Sequence, residues 1–184
     1  MRLLKPLTYL ILLTLIFSSC SKDPALSLAL PKKGFTVVQH LPASQAEPRT
    51  NTLYLPARAI KEKEFGTKAL KVLVDSMYAI MIKKNGVGIA ANQLGKRLQI
   101  FIIEAEDDNP RYKVLGAVKK QVFFNPTITK VSKERVNFWH GCLSAQDEKR
   151  GNVATYKWLE YRCLNQEGQA VKGRLDGFAA VIFQ

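Results

Sequence analysis

The sequence predicts an α+β domain in which antiparallel strands pack around a central helix. Three patterns predict it. Between Thr67 and Asn85, apolar residues recur every third or fourth position, the spacing of one buried helical stripe. From Leu98 onward the period drops to two, as in strands, with turn residues between the runs. From Asp176 or Gly177 a second helical pattern begins.

Residues 1–20 form a separate segment. Arg2 and Lys5 precede an apolar run from Leu7 to Phe17, and Ser18 and Ser19 lead into Cys20. A basic start, an apolar stretch too short to span a bilayer and small residues before a cleavage point describe an export signal. Small residues before a cysteine resemble a bacterial lipoprotein signal, with Cys20 lipidated, although Phe17 stands where such signals prefer leucine. The expected location is therefore exported or membrane-associated, with the cytoplasm as the alternative. Residues 21–56 hold five prolines and no sustained period, which predicts an extended arm or linker. Residues 57–184 form the domain.

Within the domain, Leu70, Leu73, Val74, Met77, Ile80 and Met81 make the stripe of the first helix. Thr67 is its N-cap candidate, Lys83 and Lys84 suit its C-terminal dipole, and Gly86 is the expected left-handed residue after it. Residues 98–104, 122–126, 128–131 and 135–139 read as strands. Residues 153–164 read as one long strand, which residues 165–168 turn into a hairpin with 169–175. The final helical run, LDGFAAVIFQ, reaches Gln184 with no cap or glycine stop.

Composition narrows the function only loosely. With 28 Lys and Arg against 15 Asp and Glu, the formal charge is +13, which attracts anionic surfaces such as a ribosome or a membrane in a non-specific way. The basic residues are dispersed and form no nucleic-acid motif. Three cysteines, one of them in the signal, are too few for a disulfide framework, and Cys163 in its alternating run reads as a small core residue.

Two stretches carry chemistry. In NGVGIAANQLG (85–95), Gly86 and Gly88 permit unusual backbone angles or close approach, and Gln93 offers an amide donor. In WHGCLSAQ (139–146), Cys142 follows a glycine and precedes a polar loop, a setting for a thiol facing a cleft. Only His40 and His140 could complete a Cys–His dyad, and neither position supports one. By strand alternation His140 and Cys142 share a side, so a makeshift two-ligand site is a minor alternative to a tolerated, partly exposed histidine.

Together these stretches resemble the peptide deformylase family. GVGIAANQLG is similar to its Gly-x-Gly-x-Ala-Ala-x-Gln motif and HGCLS to its Glu-Gly-Cys-Leu-Ser motif. FFNP lies between them, residues 150–171 resemble the family's long hairpin, and the likeness runs from Thr67 to Gln184. The resemblance implies a metallohydrolase that removes formyl groups from the N-formylmethionine of nascent chains. A cysteine thiolate and two histidines of a His-Glu-x-x-Asp-His helix hold iron or zinc there, with a water in the open position. Residue by residue, Cys142 matches the metal ligand, Gln93 the oxyanion amide and Leu143 the backbone donor. Val87 and Gly88 match the segment that pairs with the substrate peptide.

Two departures matter. His140 stands where the family has glutamate, and Thr155 where it has the arginine paired with that glutamate. No residue through Gln184 matches either ligand histidine or the catalytic glutamate. The expectation is a deformylase-like chain with a truncated final helix, without a retained metal and inactive as written. The alternatives are an active deformylase whose reading frame is cut short, or an exported, lipid-anchored, non-catalytic binding protein. An unfinished helix also leads us to expect exposed apolar surface and low soluble yield.

Overall fold

A computed structural model describes residues 23–40, 50–112, 116–145 and 150–184. The signal-like segment, including Cys20, lies outside the described residues.

The first helix, α1, spans Lys68–Lys83 and buries Leu70, Leu73, Val74, Met77 and Met81. Thr67 caps it, its hydroxyl accepting the Leu70 N–H at 3.3 Å. The other end departs from expectation. Asn85, at φ 53°, takes the left-handed position instead of Gly86. Its N–H reaches Ile82 O and the Gly86 N–H reaches Met81 O, both at 2.9 Å, a Schellman closure. Asparagine tolerates that conformation because its side chain is short and polar.

Five strands form one antiparallel sheet: β1 (Gly88–Ala90), β2 (Ile100–Ala105), β3 (Val118–Val131), β6 (Trp158–Leu164) and β7 (Ala170–Asp176), in the order β1-β2-β3-β6-β7. Two cores cover its two faces. Ile100 and Ile102 join the core under α1, whereas Ile103 and Ala105 join a second core that includes Ala180 of the last helix, with Phe101 packed against it. A strand buried on both faces reads as an unbroken apolar run, and that explains IFII.

Three elements differ from the sequence reading. Residues 122–126 and 128–131 are one strand, β3, which stays continuous through an irregularity between Phe124 and Thr127. There Asn125 turns to φ 50°, and its amide pairs with the Ile60 backbone, accepting the N–H at 2.7 Å and donating to the carbonyl at 2.9 Å. Conversely, residues 153–164 are two strands. β5 (Arg150–Tyr156) pairs with β4 (Arg135–Gly141) in a separate two-stranded sheet, and the chain crosses at Lys157 into β6. Alternation continues across the break because a period of two says nothing about which sheet a strand joins. The short β1 lies before the first strand that periodicity predicts, at residue 98.

The arm is ordered where it packs. Asp23 pairs with Arg97 at 2.8 Å, and Leu28, Phe35 and Val37 lie against the α1 core. The last helix, α2, spans Gly177–Phe183 and buries Ala180 and Val181. Phe183 sits among Phe101, Phe123 and Tyr161, with ring centroids 4.8, 5.0 and 5.3 Å away. Gln184 bonds both backbone groups of Tyr156, at 2.8 and 2.9 Å. Among the described residues, no helix is long and apolar enough to cross a membrane.

Candidate functional site

A mostly apolar cleft of about 650 Å³ opens between β1, the turn after it, the loop after β4, and α2. Each sequence-predicted site residue lines it: Val87, Gly88, Gln93, Cys142 and Leu143.

The first motif becomes a strand and then a tight turn. Gly88 pairs with Ile103, and Ala91–Leu94 form a single 3-10 turn closed by Gly95 at φ 74°. Neither Gly86 nor Gly88 has a positive φ; both serve close approach instead. A Cβ on Gly88 would come within 2.9 Å of Ile182, and one on Gly86 within 2.9 Å of Leu143. β1 is an edge strand, with β2 on one side only. Among the described residues, its outer edge therefore has no ladder partner.

Gln93 is aimed by the turn. Its Oε1 accepts the Ala90 N–H at 2.9 Å, which turns Nε2 toward Ser144 Oγ at 3.2 Å and Cys142 Sγ at 3.6 Å. The Ser144 N–H also points at Cys142 Sγ, at 3.4 Å. Cys142 is exposed, and it and Cys163 are both free thiols. Burial pushes the Cys163 thiol up from its ordinary pKa, in keeping with the predicted core role.

β4 ends at Gly141, so Cys142 lies in the following turn, and His140 lines the same cleft. The imidazole packs edge-on to Phe138, with centroids 5.2 Å apart. Its Nε2 is buried without a hydrogen-bond partner among the described residues, and burial holds its pKa below the ordinary value. Thr155 stands opposite Val136, donating to its carbonyl at 3.3 Å, while Gly151 faces His140.

Among the described residues, the donors around Cys142 do not by themselves complete a catalytic divalent-metal site. The sulfur faces N–H groups, and among the described residues no group of three His, Cys, Asp or Glu side chains could hold an ion. A catalytic site of this kind uses three protein ligands and an open position.

Sequence reading missed two contributors. One is the end of the arm, which ties the two motifs together: Val38 N–H donates to Gln93 O and His40 N–H to Ser144 O, each at 2.7 Å, and Gln39 Nε2 to Leu143 O at 3.1 Å. Tyr54 also bonds His40 at the cleft wall. A segment without periodicity gives no sign of such bonds, since they are made by its backbone and by single polar side chains. The other contributor is the Arg111–Tyr112 pair. Tyr112 Oη accepts the Gly141 N–H at 2.8 Å. In the sequence these residues follow the charged stretch EDDNP (106–110), and no periodicity marks them.

Comparison with known proteins agrees with this geometry. The family model for polypeptide deformylase matches residues 46–184. The peptide deformylase of Leptospira biflexa is 33% identical over 129 residues, covering 68% of this chain and 69% of its own. Peptide deformylase 1 of Nitrosomonas europaea is 35% identical over 132 residues, covering 72% and 73%. Among solved structures, a class I type b peptide deformylase from Acinetobacter baumannii with Met-Ala-Ser bound superposes with a TM-score of 0.73. It is 29% identical, covering 86% of this chain and 91% of that one.

Proposed function

The chain belongs to the peptide deformylase family, and from that premise we propose that residues 57–184 form a deformylase peptide cleft that binds formyl-Met peptides without hydrolysing them. The family is metal-dependent and acts on formylmethionine peptides of nascent chains. One observation carries the binding half of the proposal: Gln93, from a motif 49 residues away, and the Ser144 N–H, two residues along the chain, converge on Cys142 in the lining of an apolar cleft. Amide donors fixed by a turn favour a carbonyl oxygen held against them, because they need no rearrangement to meet it. In this reading Gln93 Nε2 and the Leu143 N–H face the formyl oxygen, and Val87 and Gly88 offer the edge of β1 to the peptide backbone.

The absence of turnover rests on the donor set. Cys142 is the single family ligand matched within these 184 residues, and a lone thiolate does not hold a catalytic metal. The purified chain, assayed on formyl-Met-Ala-Ser with added iron, nickel or zinc, is expected to bind the peptide and release no formate. Metal-dependent formate release that disappears in Cys142→Ala would overturn this.

A second reading is an active deformylase in which a continuing frame supplies the missing motif. It is favoured by α2, whose Val181, Ile182 and Phe183 line the same cleft as Cys142. Translating the nucleotides after codon 184 in three frames tests it. A His-Glu-x-x-Asp-His stretch near the start supports it, and unrelated residues with stop codons throughout count against it. We further propose that Cys20 carries a lipid that anchors the chain as an exported binding protein. Recovery of the intact N-terminus solely in the cytosol would remove that proposal.

A further inference from the structure

Arg111 packs against Gly141, the residue before Cys142. A Cβ on Gly141 would come within 2.9 Å of Arg111 Nη2 and 3.2 Å of Tyr112 Oη, so glycine at 141 is what admits the guanidinium there. The guanidinium lines the cleft whose floor holds Gln93 and Cys142. Among the described residues the lining includes no aspartate, glutamate or lysine, and Arg111 has no ion-pair or side-chain hydrogen-bond partner.

That isolation contrasts with Arg58 and Arg97. Arg58 makes two bonds of 2.7 Å to the Glu64 carboxylate, and Arg97 one of 2.8 Å to Asp23. A guanidinium offers a planar fork of donors matched to a carboxylate, and holding it unpaired beside an apolar wall costs hydration that such a partner restores. The charge is not needed to hold the loop, because Tyr112 and the Arg111 carbonyl make the loop's own bonds, to Gly141 and to Arg150. The net charge of +13 further favours an anionic ligand.

We propose that Arg111 is the anion-recognising residue of the cleft, receiving a carboxylate of the bound peptide beside Cys142. The inference rests on the peptide-cleft reading above and narrows its ligands to peptides bearing a carboxylate near the formyl-Met end. Two sources supply that group, the terminal carboxylate of a short peptide or an acidic side chain in a longer one.

Calorimetric titration of the 184-residue chain separates them. The probes are formyl-Met-Ala-Ala as acid and as C-terminal amide, and formyl-Met-Asp-Ala-amide against formyl-Met-Asn-Ala-amide. The expected result is a preference of about tenfold for the carboxylate member of at least one pair, weakening as salt is added. Preference within the first pair identifies the terminus as the source, and within the second the side chain. Arg111→Met abolishes the preference, bringing the carboxylate member of the pair down to the affinity of its neutral counterpart, and Arg111→Lys keeps part of it. Equal affinity within both pairs overturns the inference and leaves the peptide cleft standing. Failure of every probe to bind overturns both. An Arg111→Met chain that is natively folded by circular dichroism but weakens acid and amide equally assigns Arg111 a structural role and overturns the inference.

Discussion

Single side chains do much of the positioning in this molecule by standing in for backbone. Asn125 replaces a strand neighbour for Ile60, and Gln93 fixes the turn that aims it. Asn125→Ala leaves both Ile60 groups unsatisfied and forces alanine into φ 50°, so it should cost about 2–3 kcal/mol in chemical denaturation. Glu64 bridges Arg58 and the Lys61 N–H, and the hydrogen bond from Arg58 holds its carboxyl below the ordinary value near 4.5. A carboxylate lowered in the folded state stabilises it above the unfolded pKa, and that stability is lost as pH falls through the folded value. Glu64→Gln should therefore cost about 1–2 kcal/mol at pH 7 and flatten the loss of stability below pH about 4.5, read from melting temperature against pH.

At the scale of elements, β2 and α2 decide where the cleft opens. β2 divides its side chains between two cores, so β1 hangs on an anchored neighbour and keeps its outer edge for the cleft. The short α2 is held chiefly by its end, through the Phe183 ring cluster. Phe183→Ala should destabilise by about 2–3 kcal/mol and loosen the cleft wall, seen as faster amide exchange in α2 and β1. The β4–β5 hairpin is the least covered element. Val136, Trp139 and Val153 are 39%, 58% and 49% exposed, apolar surface of a kind that favours association. Val136→Thr with Val153→Thr should raise the soluble fraction at equal expression without lowering the melting temperature. An unchanged fraction would place the association elsewhere.

Across the whole molecule, an arm outside the strand and helix pattern joins the two motifs. Residues 38–40 bond Gln93, Leu143 and Ser144, while residues 23–37 lean on the α1 core. Site geometry and arm packing are thus coupled. Deleting residues 1–40 should lower the melting temperature by roughly 10 °C and weaken formyl-peptide binding, since both losses follow from the same released backbone bonds. Retained peptide affinity in a destabilised chain would uncouple the two.

The α+β class, the extent of α1, the hairpin after residue 164 and the start of α2 were legible in the sequence, because periodicity records which face of an element is buried. The motif residues of the cleft were legible through family resemblance. Tertiary structure alone decided that residues 150–164 divide between two sheets and that β3 runs on through Asn125. It also decided that the arm ties Gln93 to Ser144, and that Arg111 lies against Gly141. The physical reason is shared: these are pairings between distant stretches of backbone or single side chains, and a pattern of burial along one strand does not name the partner across from it.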